Sequence, residues 1–161
     1  MTNPVFIDAT GQTTGTLPPQ TMQGNYVYNV GNVTGPLAVS VPAGSMVIVN
    51  ITGTLPSSLV FTAPGLNPSD VVWNYLGPTT SISGGSYSLQ GILLAPNTNI
   101  NITSGTLTGM MVVNALTMNG TMTFAGPGFP EIPEPSSLSI VAIGTVALLG
   151  YRFIRRRKDP G

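Results

Sequence analysis

The chain has 161 residues, no cysteine and no histidine, and five acidic side chains that balance five basic ones. The missing residue types exclude disulfides, thiol nucleophiles and zinc-thiolate sites, and they remove the commonest general base and metal ligand. All five basic residues lie between positions 152 and 158. Since nothing basic is left elsewhere to neutralise phosphates, nucleic acid is excluded as a partner.

Carboxylates are equally scarce, because Asp8 and Asp70 are the only charged residues between positions 1 and 130. A glycosidase needs two carboxyl groups about 5 to 9.5 Å apart, and a calcium-binding repeat needs several carboxylate ligands in each loop. The sequence therefore predicts a non-enzymatic body that binds no metal and no cofactor.

Residues 1–24 are predicted to be irregular, and a run of short β-strands follows them. Each predicted strand is rich in Val, Ile, Thr or aromatic residues and is bounded by Gly, Pro, Asn or Ser. The predicted strands are 25–30, 37–41, 46–51, 59–62, 71–75, 91–95, 99–102, 110–114 and 121–124. Helical periodicity is absent before the C-terminal tail, so the body is predicted to be all-β.

Internal repeats indicate how these strands are arranged. Residues 91–95 are similar to 109–113 at an offset of 18, whereas 47–53 are similar to 71–77 at an offset of 24. The shorter offset also relates two side-chain pairs, Asn101 with Asn119 and Thr103 with Thr121.

Repeats of this length are typical of solenoid coils. We therefore predict a parallel, right-handed β-helix over residues 25–126, in which equivalent side chains stack on successive coils and asparagines at the corners bond the backbone. Trp73 is predicted to lie in the core, and Asp70 is predicted to cap a turn. A β-sandwich of similar strands is the alternative.

The tail has three successive parts: a Pro-rich linker (127–137) that contains Pro133, Glu134 and Pro135, an apolar segment (138–154), and a basic end (155–161). As a helix, the apolar segment would be roughly 25 Å long against about 30 Å of bilayer hydrocarbon, and it has no polar stripe. It is predicted to be a transmembrane helix, with a helix packed on a soluble core as the alternative. A basic flank predicts a cytoplasmic C-terminus; its residues are Arg152, Arg155, Arg156, Arg157 and Lys158.

The stretch PEPSSLSIVAIGTVALLGYRFIRRRK resembles the PEP-CTERM sorting signal of exopolysaccharide-producing Gram-negative bacteria. The motif, the apolar helix and the Arg-rich end occur in the order of that signal. The resemblance implies processing by an exosortase-type enzyme, a membrane-anchored stage with the body outside the cytoplasm, and delivery to the cell surface or extracellular matrix.

Residues 45–124 resemble the C-terminal half of the choice-of-anchor A domain through the segments VIVNITG, VVWNYLG, LQGILLAPNTNINI and SGTLTGMMVVNAL. Members of that family are exported, adhesin-like and predicted to be β-helical. Residues 1–24 have neither a basic n-region nor an apolar h-region. This absence favours a chain that is the C-terminal part of a longer product or that has a misassigned start.

Together these features predict an exported, non-enzymatic surface protein that acts in adhesion or in an exopolysaccharide matrix. One alternative is an ice- or glycan-binding module that uses the hydroxyl pairs Thr106 with Thr108 and Thr121 with Thr123. Another is a truncated fragment without function.

Overall fold

The computed structural model describes residues 3–125, and every strand pair in that range is parallel. The strands are β1 (Val5–Ala9), β2 (Gly15–Thr16), β3 (Asn25–Val30), β4 (Leu37–Ala38), β5 (Met46–Ile51), β6 (Leu59–Thr62), β7 (Val71–Tyr75), β8 (Ser81–Met118) and β9 (Met122–Phe124). A 3₁₀ turn at Pro68–Asp70 leads into β7.

The chain winds as a β-solenoid of about six turns. Strands β1, β3, β5 and β7 pair in succession, and β8 continues this row while also joining β6, β4 and β2 on a second row. Val47 pairs with Tyr26 and with Val71, so the offset between successive coils is 21 and then 24. Parallel pairing throughout excludes the β-sandwich, whose hairpin-connected strands are antiparallel. The right-handed winding stays a prediction.

The core lies inside the coils, because alternate residues of each strand point inward. In β7, Val71, Trp73 and Tyr75 are buried while the residues between them are half-buried. Trp73 stacks on Phe61 from the second row, with ring centroids 4.6 Å apart. The Trp73 indole N–H donates to the Gln90 carbonyl oxygen at 2.8 Å, so its one polar atom is satisfied. The prediction that Trp73 belongs to the core is confirmed.

The long strand β8 contains three segments that the sequence predicted as separate strands: 91–95, 99–102 and 110–114. They merge because the backbone of each coil keeps bonding its neighbours around the corners.

Two side-chain contacts confirm the predicted offset of 18 between later coils, whereas the Asn114 side chain contacts Asn99 at an offset of 15. Ser86 contacts Ser104 through their hydroxyls at 3.2 Å, and the Asn119 amide donates to Asn101 at 2.9 Å. The offset falls to 17 at β9, where Gly105 pairs with Met122.

This shorter offset corrects the expected pairing of Thr103 with Thr121. The register places Thr121 opposite Ser104, because the last repeat before β9 is one residue shorter than the preceding repeat.

The prediction that residues 1–24 are irregular is wrong, because β1 and β2 lie within them. Val5 pairs with Tyr26 and Ala9 with Val30, so the segment forms the first coil. The strand β1 is short, and the outward Asp8 interrupts its apolar run. This first coil is therefore recognised from the pairing of β1 with β3, and not from the sequence of β1 alone.

Tyr87 provides a test of the core, because its hydroxyl is buried and has no partner among the described residues. Burial raises the pKa of Tyr87 to about 12. An unpaired buried hydroxyl costs about 1 to 3 kcal/mol, so Tyr87→Phe should stabilise the protein by about 1 kcal/mol. As the matched control, Tyr28→Phe should cost about 1 kcal/mol, since the Tyr28 hydroxyl donates to the Pro18 carbonyl at 2.9 Å.

The raised pKa of Tyr87 also predicts a pH dependence. The folded state favours the neutral phenol, so this contribution is complete below the unfolded pKa of about 10 and is lost as pH rises toward 12. Denaturant titrations across this range should show that loss in the native protein and a smaller one in Tyr87→Phe. A destabilised Tyr87→Phe would mean that the hydroxyl is paired after all.

No helix within residues 3–125 has the length and apolar character needed to cross a bilayer. The predicted transmembrane helix (138–154), linker (127–137) and basic end (155–161) lie outside the described residues.

Candidate binding surfaces

The outward side of the second row carries hydroxyls on successive coils, and we call it the hydroxyl face. Its exposed members are Ser86, Ser104, Thr106, Thr121 and Thr123. Thr106 lies directly opposite Thr123, which places the two predicted Thr-x-Thr segments side by side. Coils are about 4.8 Å apart and alternate residues about 6.7 Å apart along a strand. The hydroxyls are therefore regularly spaced over these three coils.

The outward side of the first row, which we call the front face, carries an asparagine ladder. The Asn74 side-chain amide donates to the Asn50 side-chain oxygen at 2.9 Å, and the Asn50 side-chain amide donates to the Asn29 side-chain oxygen at 3.1 Å. The sequence pattern placed such asparagines at corners bonding the backbone. These three instead bond one another across the sheet, each one residue before the end of its strand. Asn32 follows the expected pattern by accepting from the Thr54 backbone N–H at 2.9 Å.

Beside this ladder runs an apolar row that the sequence pattern did not reveal. Register places five of its members on consecutive coils: Phe6, Val27, Ile48, Val72 and Ile92. The offset of 18 between the later coils adds Met110. Alignment of the segment around Asn29 with that around Asn50, at an offset of 21, could have revealed both the ladder and the row.

Both faces are nearly free of charge, since Asp8 and Asp70 are the only charged residues that the structure describes. Asp8 accepts from the Thr10 backbone N–H at 3.0 Å and from the Thr10 hydroxyl at 2.8 Å, and these bonds hold its pKa below the usual value. Asp70 accepts from the Asn67 side-chain amide at 2.9 Å across the 3₁₀ turn before β7, but this bond joins two side chains and no side chain caps the backbone of the turn.

Hydrogen-bonding and apolar side chains make up most of both faces. Among residues 3–125 no group of three or more carboxylates could hold a metal ion. The predicted sorting residues Pro133, Glu134 and Pro135, together with the basic flank, lie outside the described residues and stay predictions.

Comparison with known proteins gives one match. The family model described as "Putative Ice-binding-like adhesive domain" matches residues 1–124. No curated protein and no solved structure matches the chain. The matched range includes residues 1–24, in agreement with their place in the first coil.

Proposed function

Because the chain belongs to the family of ice-binding-like adhesive domains, we propose that it is an exported, non-enzymatic protein of the cell surface or extracellular matrix that binds its target through the hydroxyl face. The observation that carries this proposal is the row of exposed hydroxyls, with Thr106 paired to Thr123 across adjacent coils. The body's resemblance to the choice-of-anchor A domain supports an adhesive role.

Binding by this face would depend on many weak contacts. Serine and threonine hydroxyls both donate and accept, so they can match the hydroxyls of a matrix polysaccharide without any charge. Each bond contributes about 0.5 to 1.5 kcal/mol net. Repetition along the solenoid and over many displayed copies would convert such contacts into adhesion.

Display on beads tests this proposal. Beads that carry the full chain at high density should retain matrix polysaccharide equally well from low to high salt, because screening acts only on charges. The double variant Thr106→Val, Thr123→Val should reduce retention severalfold, whereas Thr117→Val, at an exposed position outside the hydroxyl face, should not. Binding that collapses with salt, or turnover of the polysaccharide, would contradict the proposal.

Ice is the second candidate target, and the regular spacing of the hydroxyl face favours it along with the family match. An ordered array of about 4.8 by about 6.7 Å can match the repeat of a crystalline surface better than that of a flexible glycan. Inhibition of ice recrystallisation by the full chain, lost in the Thr106→Val, Thr123→Val variant, would identify ice as the target.

The C-terminal tail would act as the sorting signal. We infer from its PEP-CTERM resemblance that an exosortase-type enzyme recognises Pro133, Glu134 and Pro135 after a helix at 138–154 has entered the membrane. The basic flank would hold the C-terminus in the cytoplasm.

A reporter protein fused to an added signal peptide and to residues 130–161 tests whether the tail is a sorting signal. In an exosortase-bearing host it should be retained in the membrane and then released. Replacing Pro133 and Pro135 with Ala should abolish release but not insertion, because insertion depends on the apolar segment and its basic flank. Exchanging the basic residues for Gln is the contrasting change and should disturb insertion itself. Unchanged release from the Pro133, Pro135 variant would refute the motif assignment.

A further inference from the structure

The apolar row on the front face is not used by the proposed binding to a matrix or to ice. Its residues point away from the core, and Phe6 is 70% exposed, Ile48 40% and Met110 41%. The other three members, Val27, Val72 and Ile92, are half-buried. Isolated apolar residues are common on protein surfaces, but a contiguous row marks an interaction site. This row is continuous over the coils because the register stacks one apolar residue on the next.

The chemistry around the row restricts what can cover it. Asparagine amides flank it on one side, and the two carboxylates of the described body, Asp8 and Asp70, already accept local hydrogen bonds. A partner recognised by charge would find a single complementary group on this face, the exposed Asp8 carboxylate in β1 at one end of the ladder. A suitable partner surface has an apolar row and amide groups beside that row. The front face of a second copy has both features.

We propose that the front face pairs with the front face of a second copy, so that adhesion by this protein is partly homophilic. This inference rests on the proposed surface display and names a partner for it. In a twofold arrangement the same patch serves both copies, and an axis over the apolar row sets one row against the other. Two such sheets pack about 10 Å apart with interdigitating side chains.

The available area indicates how strong this pairing is. Six coils about 4.8 Å apart and three outward positions about 6.7 Å apart give roughly 500 Å² per copy. The total of roughly 1,000 Å² lies at the lower limit for a specific interface. Pairing is therefore weak between free chains and effective between dense arrays on facing surfaces, where many contacts form together.

Two charge variants at Ile48 test the pairing. Beads that carry the full chain, coupled through its C-terminal end, should aggregate at high density. Beads with Ile48→Lys alone or Ile48→Glu alone should aggregate about tenfold less, because each buries an unpaired charge against its own kind. A mixture of Lys and Glu beads should aggregate again, and this rescue should weaken with salt, whereas aggregation of the native protein should not.

Thr106→Lys is the matched control, since it adds the same charge on the hydroxyl face and should leave bead aggregation unchanged. Dispersed native beads at every density, equal loss in Thr106→Lys, or no recovery in the mixture would overturn the inference. Polysaccharide or ice binding is measured on the same beads. Its retention by Ile48→Lys would separate a failure of homophilic pairing from a failure of the proposed function.

Discussion

Leu93→Asp is expected to unfold the protein. Leu93 is 1% exposed, and the offset of 18 places Met111 of the next coil in register with it. The substitution removes a buried leucine and leaves a carboxylate unpaired in the core, and together these changes cost at least several kcal/mol. The total stability of a domain is about 5 to 15 kcal/mol. Fluorescence of Trp73, the single tryptophan, reports the loss.

The neighbouring residue supplies the control for this prediction. Leu94 points outward and is half-buried, so Leu94→Asp should destabilise the protein far less than Leu93→Asp. Asn97→Asp, at an exposed corner, should be nearly neutral. Similar losses at 93 and 94 would mean that the inward and outward positions of β8 are assigned wrongly.

The strands with the clearest alternation were predictable from the sequence. In β5, Val47, Val49 and Ile51 are buried while the residues between them are not, and the predicted bounds agree with the structure. The motif around Asn50 recurs around Asn74, and this recurrence correctly predicted the register of β5 with β7. Strong local alternation and a repeated motif are both visible in a single sequence, and here they define the solenoid.

Features that depend on the neighbouring coil were harder to predict. The ends predicted for the segments of β8 rest on turn residues such as Pro96, yet in a solenoid these bend the chain without interrupting its pairing. The threonines at 106 and 108 were placed on one face by the two-residue period of a strand. That Thr123 lies opposite Thr106 follows only from the offset of 17, which no sequence pattern indicated.

The binding surfaces themselves were predictable only in part. Hydroxyl pairs stand out as Thr-x-Thr, whereas the apolar row is spread over six coils with one residue in each. Ile48 and Val72 look like core residues in the sequence because they are flanked by other apolar residues. They point outward because the strand alternates and the adjacent Val49 and Trp73 occupy the buried positions.

Gly91→Ala is expected to destabilise the protein strongly, although less than Leu93→Asp. Gly91 has a φ of +116°, a conformation that disfavours side chains, and an added Cβ would lie 2.8 Å from the Val71 carbonyl oxygen and 3.0 Å from the Trp73 indole nitrogen. Backbone strain costs about 1 to 2 kcal/mol, and the contact with a rigid neighbouring coil adds to it. We expect a total loss of about 3 kcal/mol.

Two other glycines allow the cost of backbone strain to be measured separately from the cost of the steric contact with the neighbouring coil. Gly84 also has a positive φ but open space around its Cβ position, so Gly84→Ala should cost only the strain, about 1 kcal/mol. Gly11 has neither a positive φ nor a neighbour within 4 Å, and Gly11→Ala should be neutral or stabilise by up to about 1 kcal/mol. Denaturant unfolding of the three variants should therefore rank Gly91 above Gly84 and Gly84 above Gly11. If Gly91→Ala costs no more than Gly84→Ala, the coils do not approach as closely at β7 and β8 as the fold requires.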